Sequence, residues 1–156
     1  MNKNKALQKA INLHLSGKNI EASKAYNAVL ISEPSNLIAL NNLASLLNVS
    51  GEYEKAKLLL NRALHIKPDY IDALNNLGIS MKLSKEFNEA VKIFEKIINL
   101  KPDFVKALIN LGNCFQSLNR FEDALKIYKK ASIIQPESTE VLYNEATCLN
   151  ELNFHK

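Results

Sequence analysis

At 156 residues, 47% hydrophobic and 23% charged, the chain has the length and composition of a globular protein, which excludes a disordered or fibrous one. Four Gly and four Pro are too few for a turn-rich all-β fold. The net charge of +4 comes without a run of Lys or Arg and without aromatics interleaved among basic residues, so nucleic acid is not the expected partner.

The opening stretch, MNKNKALQKAINLHL, has charges but neither an unbroken apolar segment nor a small-residue cleavage site, so it does not read as a signal peptide. No segment approaches the 18 apolar residues of a membrane span, and a cytoplasmic location is expected. From residue 3 apolar residues recur at separations of three, four and seven, which predicts two amphipathic helices, A and then B. Pro34 ends helix B, and Ser35 stands ready to cap the next helix.

The unit then repeats. Pro34, Pro68, Pro102 and Pro136 are spaced by 34 residues, which sets repeats at 3–36, 37–70, 71–104 and 105–138 and a half repeat at 139–156. Short breaks such as SGEY and LNRF divide A from B, and Asp69 and Asp103 hold the place of Ser35. Small residues keep the same beat: Ala10, Ala44, Gly78, Gly112 and Ala146 at the eighth place, Ala22, Ala56, Ala90 and Ala124 at the twentieth. They let helix A approach helix B, with larger residues such as Tyr26, Leu60, Phe94 and Tyr128 at the twenty-fourth place filling the gap.

This register of small, aromatic and proline places resembles the tetratricopeptide repeat family over essentially the whole chain, with its 34-residue helix–turn–helix unit. The resemblance implies an all-α fold, an α-solenoid of about four and a half repeats in a right-handed superhelix, forming a single domain over 1–156. Two departures mark the chain: Leu or Ala stands at the fourth place where the family favours Trp, and Asn19 replaces the aromatic that Tyr53, Phe87 and Phe121 supply. In such a stack helix A lines a concave face, and function is usually surface recognition.

Asparagine is a mediocre helix former, yet Asn42, Asn76, Asn110 and Asn144 occupy the sixth place of four successive A helices. That place lies about 200° from the apolar fourth place, off the buried stripe. The family resemblance assigns places 2, 5, 6, 9, 12 and 13 to the groove, which adds Asn41, Asn75, Asn113, Lys82 and Lys106. An amide carries both donors and an acceptor and can pair with one peptide unit of an extended chain. This row resembles the asparagine ladder in the repeats of protein O-linked N-acetylglucosamine transferases and bacterial relatives, and it predicts a peptide-binding groove that reads main chain. The plainer reading is that asparagine is abundant here, at 20 of 156 residues, and that the amides bond only to one another or to water.

Other chemistry is poorly supported. The carboxylate clamp of chaperone-binding relatives would need Lys, Asn, Asn, Lys and Arg at set places; from the second repeat the chain offers Asn41, Ser45, Asn76, Lys106 and Asn110. His14, His65 and His155 fall at different places, and Cys114 and Cys148 have no CxxC context, so no metal site, no nucleophile and no cofactor is expected. The two cysteines stand on equivalent turns; a disulfide would require Cα atoms within about 7 Å, and reduced core residues are the better reading. With no Gly-rich phosphate loop either, nothing argues for an enzyme.

The expected role is a protein–protein interaction scaffold that binds an extended peptide of a protein partner. The alternatives are the substrate-recruiting front of a larger enzyme such as a glycosyltransferase, and a self-assembly scaffold. The chain stops at NFHK where a fifth helix B should begin, which points to a fragment of a longer protein. An unpaired fifth helix A, with Leu142, Leu149 and Leu152, could also form a homodimer through the C-terminal half repeat.

Overall fold

The computed structural model describes residues 3–154. Among them the regular elements are nine helices: α1 (Lys3–Leu15), α2 (Asn19–Ser32), α3 (Leu37–Val49), α4 (Tyr53–Ile66), α5 (Ile71–Leu83), α6 (Phe87–Leu100), α7 (Val105–Ser117), α8 (Phe121–Ile134) and α9 (Thr139–Phe154). Odd-numbered helices are helix A and even-numbered ones helix B. The fold is an all-α solenoid of helix pairs in which α1, α3, α5 and α7 cover the same thirteen places of their repeats.

Helix A ends for a backbone reason. The fifteenth place adopts positive φ in every full repeat: Gly17 at 73°, Gly51 at 80°, Lys85 at 65° and Asn119 at 57°. Around it the amides of Lys18, Glu52, Glu86 and Arg120 reach back to the carbonyls of Leu13, Leu47, Met81 and Phe115, and those of the fifteenth place to the residue three earlier. These are the paired bonds of a Schellman motif. At Lys85 the left-handed conformation costs about 1–2 kcal/mol, which glycine would avoid and which an asparagine tolerates better.

Helix B ends differently. The amides of Asn36, Tyr70, Phe104 and Ser138 bond to the carbonyls of Glu33, Lys67, Lys101 and Gln135 at 3.0–3.2 Å. That closes a four-residue turn with proline at its second position, where its fixed φ belongs. The expected caps are therefore displaced by one residue. Ser35, Asp69 and Asp103 are the third residue of the turn, and the capping position falls on the residue after each. Asn36 accepts there from the Ala39 amide at 3.0 Å, and Ser138 from that of Val141 at 3.4 Å. Phe104 holds the same position with no capping side chain.

The chain divides into two compact units within α5, between Ser80 and Met81. In the first, α1 through α4 pack consecutively around Ala10, Ala22, Tyr26, Val29, Ala39, Leu43 and Leu46. In the second, α6 through α9 pack consecutively, with Leu108, Leu111, Cys114, Ala124, Tyr128, Ala131, Val141 and Cys148 buried. Small residues at the eighth and twentieth places are enclosed, as Ala44, Ala56, Gly112 and Ala124 are. Ala146 on α9 is exposed, because no helix B covers it among the described residues.

Candidate functional site

Helical periodicity rotates the sixth place of helix A off the core, and Asn42, Asn76, Asn110 and Asn144 are each half-buried. Gln8, their counterpart on α1, is exposed and donates to Asn12 Oδ1 at 3.0 Å.

In the first unit the amides form a relay. Asn76 Nδ2 donates to Asn41 Oδ1 at 2.9 Å, Asn41 Nδ2 to Asn42 Oδ1 at 3.2 Å, and Asn42 Nδ2 to the Tyr26 hydroxyl at 3.1 Å. His14 Nδ1 lies 3.4 Å from that hydroxyl. Burial, opposed by the Asn42 bond, raises the Tyr26 pKa above its ordinary value. Asn48 Nδ2 donates to the Asn76 carbonyl at 3.2 Å while its Oδ1 accepts from Ser80 Oγ at 2.8 Å. Asn41 is enclosed, with both ends of its amide engaged. Asn75 is half-buried and holds its Oδ1 out of solvent with no hydrogen-bond partner.

In the second unit the row is built around a cation. Lys82 Nζ donates to Asn110 Oδ1 at 2.6 Å. Desolvation is the largest influence on this half-buried amine and lowers its pKa. The Tyr128 hydroxyl shares its one hydrogen between Asn113 Oδ1 at 2.6 Å and Gln116 Oε1 at 2.7 Å, and Asn144 Nδ2 donates to Asn113 Oδ1 at 3.3 Å. Lys106 on α7 is exposed.

One rule links these bonds. The twelfth place of each helix A is joined to the sixth place of the next. The joint is direct for Asn48 to Asn76 and Lys82 to Asn110, and runs through a tyrosine hydroxyl from His14 to Asn42. From Gln116 it passes through Tyr128 and Asn113 to Asn144. Leu60 and Phe94 lack a hydroxyl at the twenty-fourth place, and the direct bonds occur in those repeats. Reading each residue against one period in isolation hides this coupling, because it joins places of different repeats.

The other candidates fall outside this row. Cys114 and Cys148 are free thiols in the core, and burial pushes the Cys114 thiol up to about 11, far from a reactive thiolate. His14 is engaged with Tyr26, His65 is exposed, and His155 lies outside the described residues. Among the described residues no group of three His, Cys, Asp or Glu could hold a metal ion. No helix there is long and apolar enough to cross a membrane.

Two descriptions of the tetratricopeptide repeat match the sequence, at residues 16–71 and 83–144. By sequence the chain has no match among curated proteins. Its fold is similar to that of the MamA protein in its crystal structure, with a TM-score of 0.86 and 19% identity over 97% of this chain and 82% of that one. A tetratricopeptide repeat protein from Parabacteroides merdae ATCC 43184 gives 0.85 and 22% over 97% of this chain and 59% of that one. YrrB, described as a TPR protein with an unusual peptide-binding site, gives 0.77 and 18% over 95% and 76%. At such identities the likeness concerns the fold. Joined to the 34-residue period, the repeated helix pairs and the two sequence matches, it leads to one conclusion: the chain belongs to the tetratricopeptide repeat family.

Proposed function

We propose that the chain is a protein–protein interaction module that holds an extended peptide segment of a partner against its A helices. Asn42 and Asn76 contact the peptide main chain in the first unit, Asn110 and Asn144 in the second. Asn75, Asn113, Lys82 and Lys106 flank them. The carrying observation is that four amides at one helical place are half-buried instead of enclosed. Asn42, Asn76 and Asn144 each spend one of two amide hydrogens on a neighbour, which leaves hydrogen-bonding capacity outward. Asn41, enclosed, serves the row from behind. With packed helices about 8–10 Å apart and an extended chain rising about 3.3 Å per residue, each repeat spans roughly three peptide residues. That spacing favours main-chain reading with tolerance of side chains. The single domain over 1–156 belongs to the same reading.

The test is fluorescence anisotropy with labelled nonapeptides selected from a random library. The variant Asn76→Ala with Asn110→Ala is expected to weaken binding at least about tenfold, from two lost hydrogen bonds of roughly 1 kcal/mol each. Unchanged affinity in a folded double variant would remove the amides from recognition.

A second reading rests on α9. Leu142, Tyr143 and Leu149 are 48%, 74% and 43% exposed, although Leu142 stands at the place where Leu40, Leu74 and Leu108 are buried. We propose that a second copy covers this face in a homodimer. Light scattering over a concentration series should show mass rising toward twice the monomer, and Leu149→Glu should abolish the rise. A constant monomer mass in the parent protein would dispose of the dimer.

A further inference from the structure

We infer that the second unit carries a carboxylate subsite at Lys82 and Asn110, which receives an acidic group of the bound partner. The inference rests on the peptide-binding reading and adds to it the chemistry of one contact.

The Lys82 ammonium lacks an ion pair among the described residues. Lys82 is half-buried, and Asn110 Oδ1, a neutral oxygen, is its hydrogen-bond partner at 2.6 Å. No carboxylate among the described residues lies within ion-pair distance of Nζ. Glu140 on α9, an exposed residue, acts on it only through space. An ammonium has three hydrogens to donate, so two remain. Taking a cation part of the way out of water beside a neutral amide costs free energy that a bound anion would offset.

The surrounding amides point the same way. Lysine can only donate, which fixes Asn110 with its oxygen toward Nζ and leaves its NH2 group to donate elsewhere. The oxygens of Asn113 and Gln116 accept from Tyr128, and that of Asn113 also from Asn144. The oxygens of Asn110, Asn113 and Gln116 are therefore engaged internally, while the NH2 group of Asn110 remains to donate. A main-chain peptide unit meets the Asn110 NH2 group with its single carbonyl oxygen. A carboxylate brings acceptors alone and forms the shorter, charge-assisted bonds. The first unit differs: Asn76, Asn41 and Asn42 pass donors to acceptors in sequence, ending on a tyrosine hydroxyl with no cation in the chain of bonds. Lys82 also stands at the twelfth place, which the five-residue carboxylate clamp does not use.

Two measurements on the full chain test this. In the first, sodium acetate and acetamide are titrated against the 15N-labelled protein, and the Asn110 side-chain amide signals are followed. Acetate should shift them saturably and acetamide should not; Lys82→Met should abolish the shift, and Lys82→Arg should keep it. In the second, three pools of random nonapeptides are compared: neutral with an amidated C-terminus, neutral with a free C-terminal carboxylate, and one internal Asp with an amidated C-terminus. One of the two acidic pools should bind about tenfold more tightly than the neutral pool. Which pool does so identifies a terminal or a side-chain carboxylate. Lys82→Met should erase the preference, so that the acidic pools bind no more tightly than the neutral one. Equal response to acetate and acetamide, or equal binding of all three pools, overturns the subsite. If no pool binds, the peptide-binding reading falls, and the acetate titration alone decides whether Lys82 and Asn110 hold a carboxylate.

Discussion

Gly112→Leu should destabilise the protein by about 3 kcal/mol, and Gly112→Ala by about 1–2 kcal/mol, read as a shift of the urea midpoint. A Cβ at this position would lie 2.4 Å from Tyr128 Cε1 and 2.5 Å from Cζ, distances that real Cβ atoms do not adopt. The ring has no easy retreat: Tyr128 is fully enclosed and its hydroxyl is tied to Asn113 and Gln116. Alanine would gain about 1 kcal/mol over glycine in an ordinary helix interior, so the sign of the result decides which effect wins. The first repeat limits the cost, because Ala10 and Tyr26 occupy the same two places there and both are buried. The second repeat supplies the rescue, since Ala44 is paired there with Leu60. Combining Gly112→Ala with Tyr128→Leu should therefore cost less than the sum of the single changes, with a coupling of at least about 1 kcal/mol. Stabilisation by the single alanine would mean that α7 and the Tyr128 ring have room the structure does not show.

This close approach was half legible in the sequence. A small residue at every eighth place announces a helix contact, but nothing in the period tells whether glycine is required or alanine suffices. The prolines were legible as breaks for the same kind of reason, while the caps were not. In the sequence Pro34 and its equivalents signal stops with the next polar residue as a cap, yet proline also starts a turn, and that turn moves the cap one residue on to Asn36 and Ser138. The end of helix A was less visible still. Positive φ at the fifteenth place is signed by glycine in two repeats only, and Lys85 and Asn119 adopt it because the bonds around them impose it. As for the amides, helical rotation correctly put the sixth place off the core. It could not show that these side chains reach one repeat along and bond to Asn41, Lys82 or Asn113, since such contacts depend on how neighbouring helices stack.

That stacking role makes Asn48 the second sensitive position. Judged by hydrophobicity, Asn48→Leu should help, because the residue is 8% exposed and leucine is the better helix former. A loss of about 1–2 kcal/mol is expected instead. The amide joins α3 to α5 by donating to the Asn76 carbonyl and accepting from Ser80, and a leucine satisfies neither. Asn48→Asp keeps the shape and should cost more, about 3 kcal/mol at neutral pH, because a carboxylate oxygen would face the Asn76 carbonyl where an N–H now sits 3.2 Å away. The pH dependence checks the cause. A buried carboxyl facing an acceptor has its folded-state pKa raised above the unfolded value. Its proton can donate to Asn76, so the penalty is small below about pH 4 and grows as pH rises through the folded pKa. Urea midpoints of Asn48→Asp at acid and neutral pH, each compared with the parent protein, should therefore diverge. If the difference from the parent is the same at both, Asn48 does not donate to that carbonyl, and the link from the twelfth place to the sixth is not what holds α3 to α5.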